Sequence, residues 1–501
     1  MESGEKCDIK FGTDGWRGVI SDNFTFYNVR VVAQALADYL HSTANCASPV
    51  VIGYDVRFLS DKFAYAFGEV IASNDIEVFY SREPITSPML SFTTKKLNAS
   101  VGVMLTASHN LPQFNGIKFK LPYGGPITNT IVSEIEKYLY KTPPRHDSAK
   151  INKNLHTADF LQPYIQHIVN LIPQKNISAK LKVAVDNMHG ASSTVLNRLL
   201  RFYKSKFLLL NMSPDPLFGG SGRHPEPIPS NITHLSDVVK RDRCDVGVAL
   251  DGDGDRIGVI SPEGKFIIPA EVLSLILLYF VERKKTATGK KFSVAKTVSV
   301  SQLVDRICQH YGLSLYEVPV GFKNITELMI KDENVYIGGE ESGGIGYRFH
   351  IPERDGIFTM LMLLELLTAY DKPLNTIIDN MRSKFGSYVY ARKDIFYDSK
   401  ERLTLINNFM GNIKKLQSSL QKMLTKSKSV AKVDTRDGVK IYFSDSSWLL
   451  IRPSYTEPVI RIYAEGKSKS ETTKLINAGA GVLFKKDLMK KCRTLHWFIS
   501  S

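Results

Sequence analysis

Asp251, Asp253 and Asp255 stand at alternate positions in Leu250-Asp-Gly-Asp-Gly-Asp-Arg256, with Gly252 and Gly254 between them. Alternate side chains of an extended chain point the same way, and glycine lets the backbone curl so that the carboxylates converge. Carboxylates this close repel one another unless a cation sits among them, and an all-oxygen donor set favours a hard ion, Mg²⁺ or Ca²⁺. An EF-hand is excluded, because its sixth and twelfth places, counted from Asp251, hold Arg256 and Pro262 rather than Gly and Glu. Two other readings stay open. One is a phosphatase whose first aspartate is the nucleophile, where Thr or Val usually replaces Asp255. The other is an acidic turn with no ion.

Further groups have the right types for chemistry. Thr106-Ala-Ser-His-Asn110 follows the apolar run Val101 to Leu105. A serine hydroxyl at a strand end is well placed in an open α/β sheet, where ligands gather at the carboxyl ends. The spacing is not the Gly-x-Ser-x-Gly elbow of the α/β-hydrolases, and a lone Ser-His pair also reads as a capped turn. Arg452, Ser454 and Thr456 alternate between two strand-like runs. A guanidinium and two hydroxyls on one side make an anion cup, or else an ordinary basic hairpin.

Positioning these groups requires strand ends. Val50 to Tyr54, followed by Asp55-Val56-Arg57, reads as a strand, as do Val101 to Leu105, Val183 to Val185, Val246 to Leu250 and Tyr336-Ile337. Helical spacing covers Phe26 to His41, a segment capped by Ser60, and Ile357 to Leu367. Ile267 to Val281 contains Pro269 and Glu271, is short for a membrane span, and reads as a buried helix. Strand-turn-helix units recur over 1–150, 151–261 and 262–375, which argues for α/β domains, with Pro143 to Lys150 as a linker. From 376 to 501 the pattern is α+β: a helix over Glu401 to Lys426, then strands at Gly438 to Phe443, Trp448 to Ile451 and Val459 to Tyr463.

The 501 residues are 43% hydrophobic and 23% charged, ordinary for a soluble globular protein. Five cysteines are scattered without a Cys-x-x-Cys pair, which suits a reducing compartment, and the polar start Met1 to Asp8 shows no secretory signal. A cytoplasmic protein is expected. The net charge of +15 is spread along the chain, with clusters such as Lys284-Lys285 and Lys485-Lys486 that read as solvated helix faces. No nucleic-acid-binding signature is present, so an anionic metabolite is the expected partner.

Taken together, the motifs resemble those of the α-D-phosphohexomutases, the superfamily of phosphoglucomutase and phosphomannomutase. Gly12-Thr-Asp-Gly-Trp-Arg-Gly18 resembles its opening motif, and Thr106 to Asn110 with Asn115-Gly-Ile-Lys118 its active-site serine loop. The aspartate run resembles the metal loop, Gly339-Glu-Glu-Ser-Gly343 the sugar-specificity loop, and Arg452-Pro-Ser-Tyr-Thr-Glu-Pro458 the distal phosphate loop. The order matches over nearly the whole chain. The resemblance implies three similar α/β domains with mixed sheets plus a C-terminal α+β lid around a central cleft. Ser108 would be phosphorylated, and Mg²⁺ would bridge it to Asp251, Asp253 and Asp255. His109, Lys118 and Arg17 would serve the transfer. Arg256, Lys323 of Val320-Gly-Phe-Lys323, Glu340, Ser342, Arg452, Ser454 and Thr456 would bind substrate.

The implied reaction interconverts hexose 1-phosphate and hexose 6-phosphate through a hexose 1,6-bisphosphate, which is also the activator. The alternatives are phosphoglucosamine mutase, a bisphosphate synthase, a non-catalytic sugar-phosphate binder, or a Mg²⁺-dependent sugar-phosphate phosphatase. A monomer or homodimer without membrane or nucleic-acid partners is implied. The sequence departs from the family pattern at Gly344, where His is expected, and at Tyr455, where Asn or Gly is common. Any proton-transfer role of that His therefore has no counterpart at position 344.

Overall fold

The computed structural model describes residues 7–12, 15–220, 222, 224–284, 292–397, 418, 428–454, 459–483 and 494–500. The chain has a four-domain α/β architecture, with mixed sheets in three domains and an antiparallel sheet in the last. The first sheet comprises β1 (Trp16–Val19), β2 (Val50–Tyr54), β3 (Val78–Ser81), β4 (Val101–Leu105), β5 (Phe114–Lys120) and β6 (Leu155–Ala158), in the order β1-β5-β4-β2-β3-β6. Its centre is parallel, β2 with β3 and β4, and β3 with β6, while β5 runs antiparallel to β4 and β1. Every residue of β2 and β4 is buried, as parallel strands covered on both faces require.

The helix Phe26–Ser42 starts where the Thr25 side chain accepts from the Asn28 backbone N–H. Ser60 was expected to cap the next helix, Ser60–Ser73. Instead Leu59, at φ +59°, precedes that helix, and the Ser60 hydroxyl donates to Asp55 Oδ1 at 2.9 Å. A buried carboxylate is the stronger acceptor and overrides the local cap. The stretch read as a linker carries Asp147, which caps a short helix, Ser148–Asn154, that leads back to the sheet edge as β6.

The second sheet repeats the design with β7 (Lys182–Asp186), β8 (Lys206–Leu210), β9 (Val246–Leu250), β10 (Ile257–Ile260) and β11 (Phe266–Ile267), in the order β11-β10-β9-β7-β8. Here β9 is parallel to β7 and antiparallel to β10. In the third module Val335–Gly339 pairs antiparallel with Ile345–Tyr347, which pairs with Ile351–Arg354. Asp355 then caps the helix Gly356–Tyr370. Each module thus uses one device, a strand that ends in a turn and returns antiparallel, with Leu105 opposite Ile117, Leu250 opposite Ile257 and Gly339 opposite Ile345. The three turns carry Ser108, the aspartates and Glu340. The run from Ile267 folds as the buried helix Pro269–Tyr279.

The chain divides into two compact units, residues 1–293 with 321–377, and residues 294–320 with 378–501. The smaller contains an antiparallel sheet of six strands built from Val430–Asp434, Val439–Phe443, Trp448–Pro453, Val459–Gly466, Val389–Phe396 and Thr494–Ile499 in that order. The helix Lys469–Leu483 buries Leu475 and Ile476 against it. A buried charge network ties residues 294–320 into this unit. Glu317 Oε2 lies 3.3 Å from Lys296 Nζ and 3.1 Å from Lys440 Nζ, and Lys440 also donates to the Val298 carbonyl at 2.5 Å. Burial alone would raise the Glu317 carboxyl, but Lys296 and Lys440 outweigh it and hold it down at about 2. Of the helix expected over Glu401 to Lys426 only Ser418 is among the described residues, and the Lys485-Lys486 cluster lies outside them. No described helix is long and apolar enough to cross a membrane.

Candidate active site

Ser108 sits just past the end of β4 with φ +55°, a left-handed conformation that a residue with a Cβ adopts only when its surroundings enforce it. Those surroundings come from the end of β2. Asp55 accepts the Thr106 hydroxyl at 2.5 Å, and Thr106 Oγ1 accepts the Ser108 backbone N–H at 2.9 Å. Arg57 is 3% exposed and lies 3.2 Å from Asp55. Its Nη1 donates to the Leu111 and Phe114 carbonyls at 2.9 Å, and its Nη2 to the Ser108 and Asn110 carbonyls at 2.7 Å. One guanidinium thus holds the whole serine loop.

The aspartate turn comes against that loop because Gly252 has no side chain. A Cβ there would stand 2.6 Å from the Ser108 carbonyl oxygen. Ser108 Oγ lies 3.4 Å from Asp251 Oδ2. Asp251, Asp253 and Asp255 are fully buried, and one oxygen from each lies within 4.8 Å of the others. Asp253 accepts from Lys118 Nζ at 2.9 Å and from the Ser87 hydroxyl at 2.6 Å, and Lys118 is 3.6 Å from Asp255. Arg354 Nη2 donates to Asp255 Oδ2 at 2.7 Å. Arg256 Nε stands 3.9 Å from Asp251 and 3.7 Å from Asp255, while its Nη1 donates to Glu226 at 3.1 Å.

Burial, with Asp255 and Asp253 close by, pushes the Asp251 carboxyl well above the usual carboxylate range. Burial acts the same way on Asp253, but Lys118 and Ser87 overcome it and hold that carboxyl down. Asp253 Oδ1 and Asp255 Oδ1 are buried without a hydrogen-bond partner. Buried, orphaned, exclusively oxygen donors in a tight cluster fit a hard dication such as Mg²⁺.

Glu340 occupies the third turn, 5% exposed. Its Oε1 accepts the Gly321 N–H at 3.1 Å and its Oε2 accepts Arg354 Nη1 at 3.1 Å. Burial pushes its carboxyl up to about 7, against the pull of Arg354. Ser342 lies partly exposed on the same turn. The structure therefore brings together Ser108, Lys118, the three aspartates, Arg256 and, through Arg354, Glu340. Arg17 Nη1 donates to Asn110 Oδ1 at 2.6 Å, beside Ser108 in the chain. His109 is partly buried, its carbonyl 3.3 Å from His224 Nδ1. Lys323 donates to Asn129 at 2.6 Å. In the smaller unit Arg452 is buried and its Nε donates to Asp437 at 3.1 Å, while the Ser454 backbone N–H donates to the Val459 carbonyl at 2.9 Å. Thr456 and Tyr455 lie outside the described residues.

Family descriptions of phosphoglucomutase/phosphomannomutase α/β/α domains I, II and III match residues 8–145, 162–264 and 269–385, and that of the C-terminal domain matches 411–480. A phosphoglucosamine/phosphogalactosamine mutase of Sulfurisphaera tokodaii is 31% identical over 93% of this chain and 97% of its own length. The chain belongs to the phosphoglucomutase/phosphomannomutase family of the α-D-phosphohexomutase superfamily. A phosphoglucomutase/phosphomannomutase of Thermococcus kodakarensis is 29% identical over 94% of this chain and 98% of its own length. A crystal structure from Thermus thermophilus assigned as a phosphomannomutase superposes with a TM-score of 0.81 at 32% identity, covering 96% of this chain and all of its own.

Several residues of this candidate site carry no signal in the sequence motifs. Arg57 and Asp55 follow a strand end, and Glu226 lies in the bend Pro225-Glu226-Pro227; both stretches stand out locally but reveal no partner. Ser87 and Arg354 reach the aspartates from 166 and 99 residues away in the chain, and no local pattern marks either one.

Proposed function

We propose that this phosphohexomutase interconverts hexose 1-phosphate and hexose 6-phosphate, glucose and/or mannose, through a phosphoserine at Ser108 and a hexose 1,6-bisphosphate that also primes the enzyme. The observation that carries the reading is the approach of Ser108 Oγ to within 3.4 Å of Asp251, at a buried triad of oxygen donors. Asp251, Asp253, Asp255 and the phosphorylated Ser108 would hold Mg²⁺. The chemistry supplied with the ion bound is withdrawal of charge from the transferring phosphoryl oxygens.

The chain's own residues do the rest. Arg57 and Thr106 fix the serine loop, so Ser108 faces the aspartates in one conformation. Arg17, tied to the same loop through Asn110, and Arg256, held by Glu226, are assigned to the phosphoryl oxygens. Lys118 is buried among the aspartates and holds Asp253 and Asp255 apart from each other's charge. With His109 it is the candidate for orienting the attacked hydroxyl or moving its proton. Glu340 and Ser342 offer an acceptor and a hydroxyl to vicinal sugar hydroxyls, and Lys323 heads the helix that follows Gly321. Arg452, Ser454 and Thr456 are assigned to the distal phosphate, a role supported by the fixing of Arg452 on Asp437. A plain phosphatase would need no second anion site. We further infer a cytoplasmic monomer or homodimer that acts on small sugar phosphates rather than nucleic acid.

The test supplies glucose, mannose and glucosamine 1-phosphates separately, with Mg²⁺ and a trace of the hexose 1,6-bisphosphate, and follows both 6-phosphate and inorganic phosphate. Isomer without phosphate release is expected. Phosphate release without isomer selects the phosphatase instead. Since the relatives named above differ in sugar, the three substrates run side by side decide among glucose, mannose and glucosamine.

A further inference from the structure

Position 344 is glycine, and the structure shows what fills the space beside it. A Cβ on Gly344 would stand 2.2 Å from Arg354 Cδ and 2.9 Å from its Cγ. The Arg354 side chain is laid directly over the glycine, 7% exposed. From there its planar fork reaches two turns at once, Nη2 to Asp255 of the aspartate turn at 2.7 Å and Nη1 to Glu340 of the sugar turn at 3.1 Å.

Both sides of Arg354 are anchored. Its backbone N–H donates to Glu353 Oε1 at 2.9 Å, and the other oxygen of Glu353 accepts the buried Lys120 ammonium at 2.5 Å. The next residue, Asp355, caps a helix and accepts the Tyr164 hydroxyl at 2.5 Å and His350 Nε2 at 2.8 Å. The far end of the connection is anchored too, because the other oxygen of Glu340 accepts the Gly321 N–H, at the turn just before Phe322 and Lys323.

We propose that Arg354 is a positioning residue that yokes the sugar-facing Glu340 to the metal-facing Asp255, in the space a side chain at position 344 would otherwise occupy. The proposal rests on the mutase reading for its consequences in turnover. Arginine keeps its charge and has no lone pair to accept a proton, so Arg354 is assigned no acid–base work. Its contribution is geometric: two carboxylates on different turns are fixed to one rigid fork. Glycine at 344 and arginine at 354 are therefore one structural choice, and changing either should undo the same connection.

The experiment compares wild type with Arg354→Lys, Arg354→Ala, Gly344→Ala and Glu340→Gln, and with the doubles Arg354→Lys/Glu340→Gln and Gly344→Ala/Arg354→Ala. Each is read for kcat and KM on the best hexose 1-phosphate, for Mg²⁺ affinity by calorimetry without sugar, and for thermal midpoint. The lysine keeps the charge and loses the fork, so a purely electrostatic role predicts no change. The yoke predicts a fall of roughly a hundredfold in kcat with a smaller change in KM, and roughly tenfold weaker Mg²⁺ binding. Gly344→Ala should reproduce that defect and add nothing to Arg354→Ala. Arg354→Lys/Glu340→Gln should be no worse than the poorer single variant. Turnover and Mg²⁺ affinity of Arg354→Lys within about threefold of wild type would overturn the proposal, as would losses that simply add. A wild type that isomerises none of the sugars sinks the mutase reading instead, and the Mg²⁺ titrations still decide for or against Arg354.

Discussion

Gly252→Ala adds a single methyl group at the place where the aspartate turn meets the serine loop. That methyl would sit 2.6 Å from the Ser108 carbonyl oxygen, 3.0 Å from Pro225 Cγ and 3.4 Å from Phe218 Cε1. A carbon–oxygen contact relaxes at about 3.3 Å, so one of the two backbones must retreat by roughly 0.7 Å. Neither is free to do so. The Ser108 carbonyl is held at 2.7 Å by Arg57, while the Gly252 N–H donates to Pro225 at 3.1 Å and its carbonyl accepts from Ala191 at 2.9 Å. Overpacking of this kind costs about 1–3 kcal/mol. The larger effect should fall on turnover, because the retreat moves Ser108 relative to Asp251, and a misplacement near 1 Å costs on the order of a hundredfold in rate. Steady-state isomerisation with Mg²⁺ and bisphosphate should therefore show kcat down roughly thirty- to a hundredfold, with a thermal midpoint only a few degrees lower. The control is Gly68→Ala in the helix Ser60–Ser73, where the new Cβ meets the flexible end of Leu155 at 3.1 Å and, at ordinary contact distance, Ile52 Cδ1 at 3.4 Å and Val78 Cγ1 at 3.7 Å, and activity should be unchanged. A Gly252→Ala enzyme with kcat within about threefold of wild type would refute the claim that close backbone approach sets this site.

Arg57→Met leaves the carbonyls of Ser108, Asn110, Leu111 and Phe114 without their donor and the buried Asp55 without its charge partner. A loss of about 3–5 kcal/mol is expected in denaturant titration, with earlier proteolytic cleavage in the serine loop; wild-type values in both would count against the loop-holding role. Burial and the neighbouring His350 hold the His167 imidazole down at about 4, below its ordinary 6.5. The unfolded chain then binds the extra proton, so the stability from this group is complete above pH ~6.5 and lost as pH falls through about 4. At most roughly 3 kcal/mol is at stake, and less because the ring is partly exposed. Denaturation midpoints from pH 7.5 to 4 should fall less in His167→Gln than in wild type, and parallel curves would dismiss the assignment. Magnesium at a hundredfold excess over its Kd should stabilise the wild type by about 2.7 kcal/mol, and Asp253→Asn should lose most of that gain in the same melt; equal gains would place the ion elsewhere.

What could be read from the chain was whatever depends on neighbours in sequence. The alternation of Asp251, Asp253 and Asp255 is itself the converging triad, and the apolar runs before Thr106 and Asp251 are the strands that end at the site. Contacts made across long stretches of chain were not legible. Arg57 looks like any surface arginine after a strand until β2 and β4 pair in parallel and bring Ser108 within its reach. Arg354 lies between two acids just before a helix, a place where a solvent-exposed ion pair is the ordinary expectation. Ser60 shows the reverse error, since a sound local cap signal yielded to a carboxylate five residues earlier that became buried only when the sheet formed. Lys323 matches its motif, and its hydrogen bond to Asn129, 194 residues away in the chain, could not be read from that motif, which does not fix a rotamer.

The charges around the triad give a reason for the whole arrangement. Lys118, Arg256 and Arg354 stand opposite Asp251, Asp253 and Asp255, but Arg256 is shared with Glu226 and Arg354 with Glu340. With every group ionised, as a bound dication would favour for Asp251, five carboxylates meet three cations and two negative charges are left over among largely buried side chains. A dication balances that excess and a monovalent ion does not, which agrees with the donor chemistry. Each cationic side chain is also fixed by a second partner, Lys118 by Asp255, Arg256 by Glu226 and Arg354 by Glu340. On the proposed reading, moving a phosphoryl group between Ser108 and a sugar hydroxyl leaves the total charge of the cavity unchanged. Side chains already held in place can stabilise the transferring group in either direction without reorganising, and that is the electrostatic requirement of a reversible transfer.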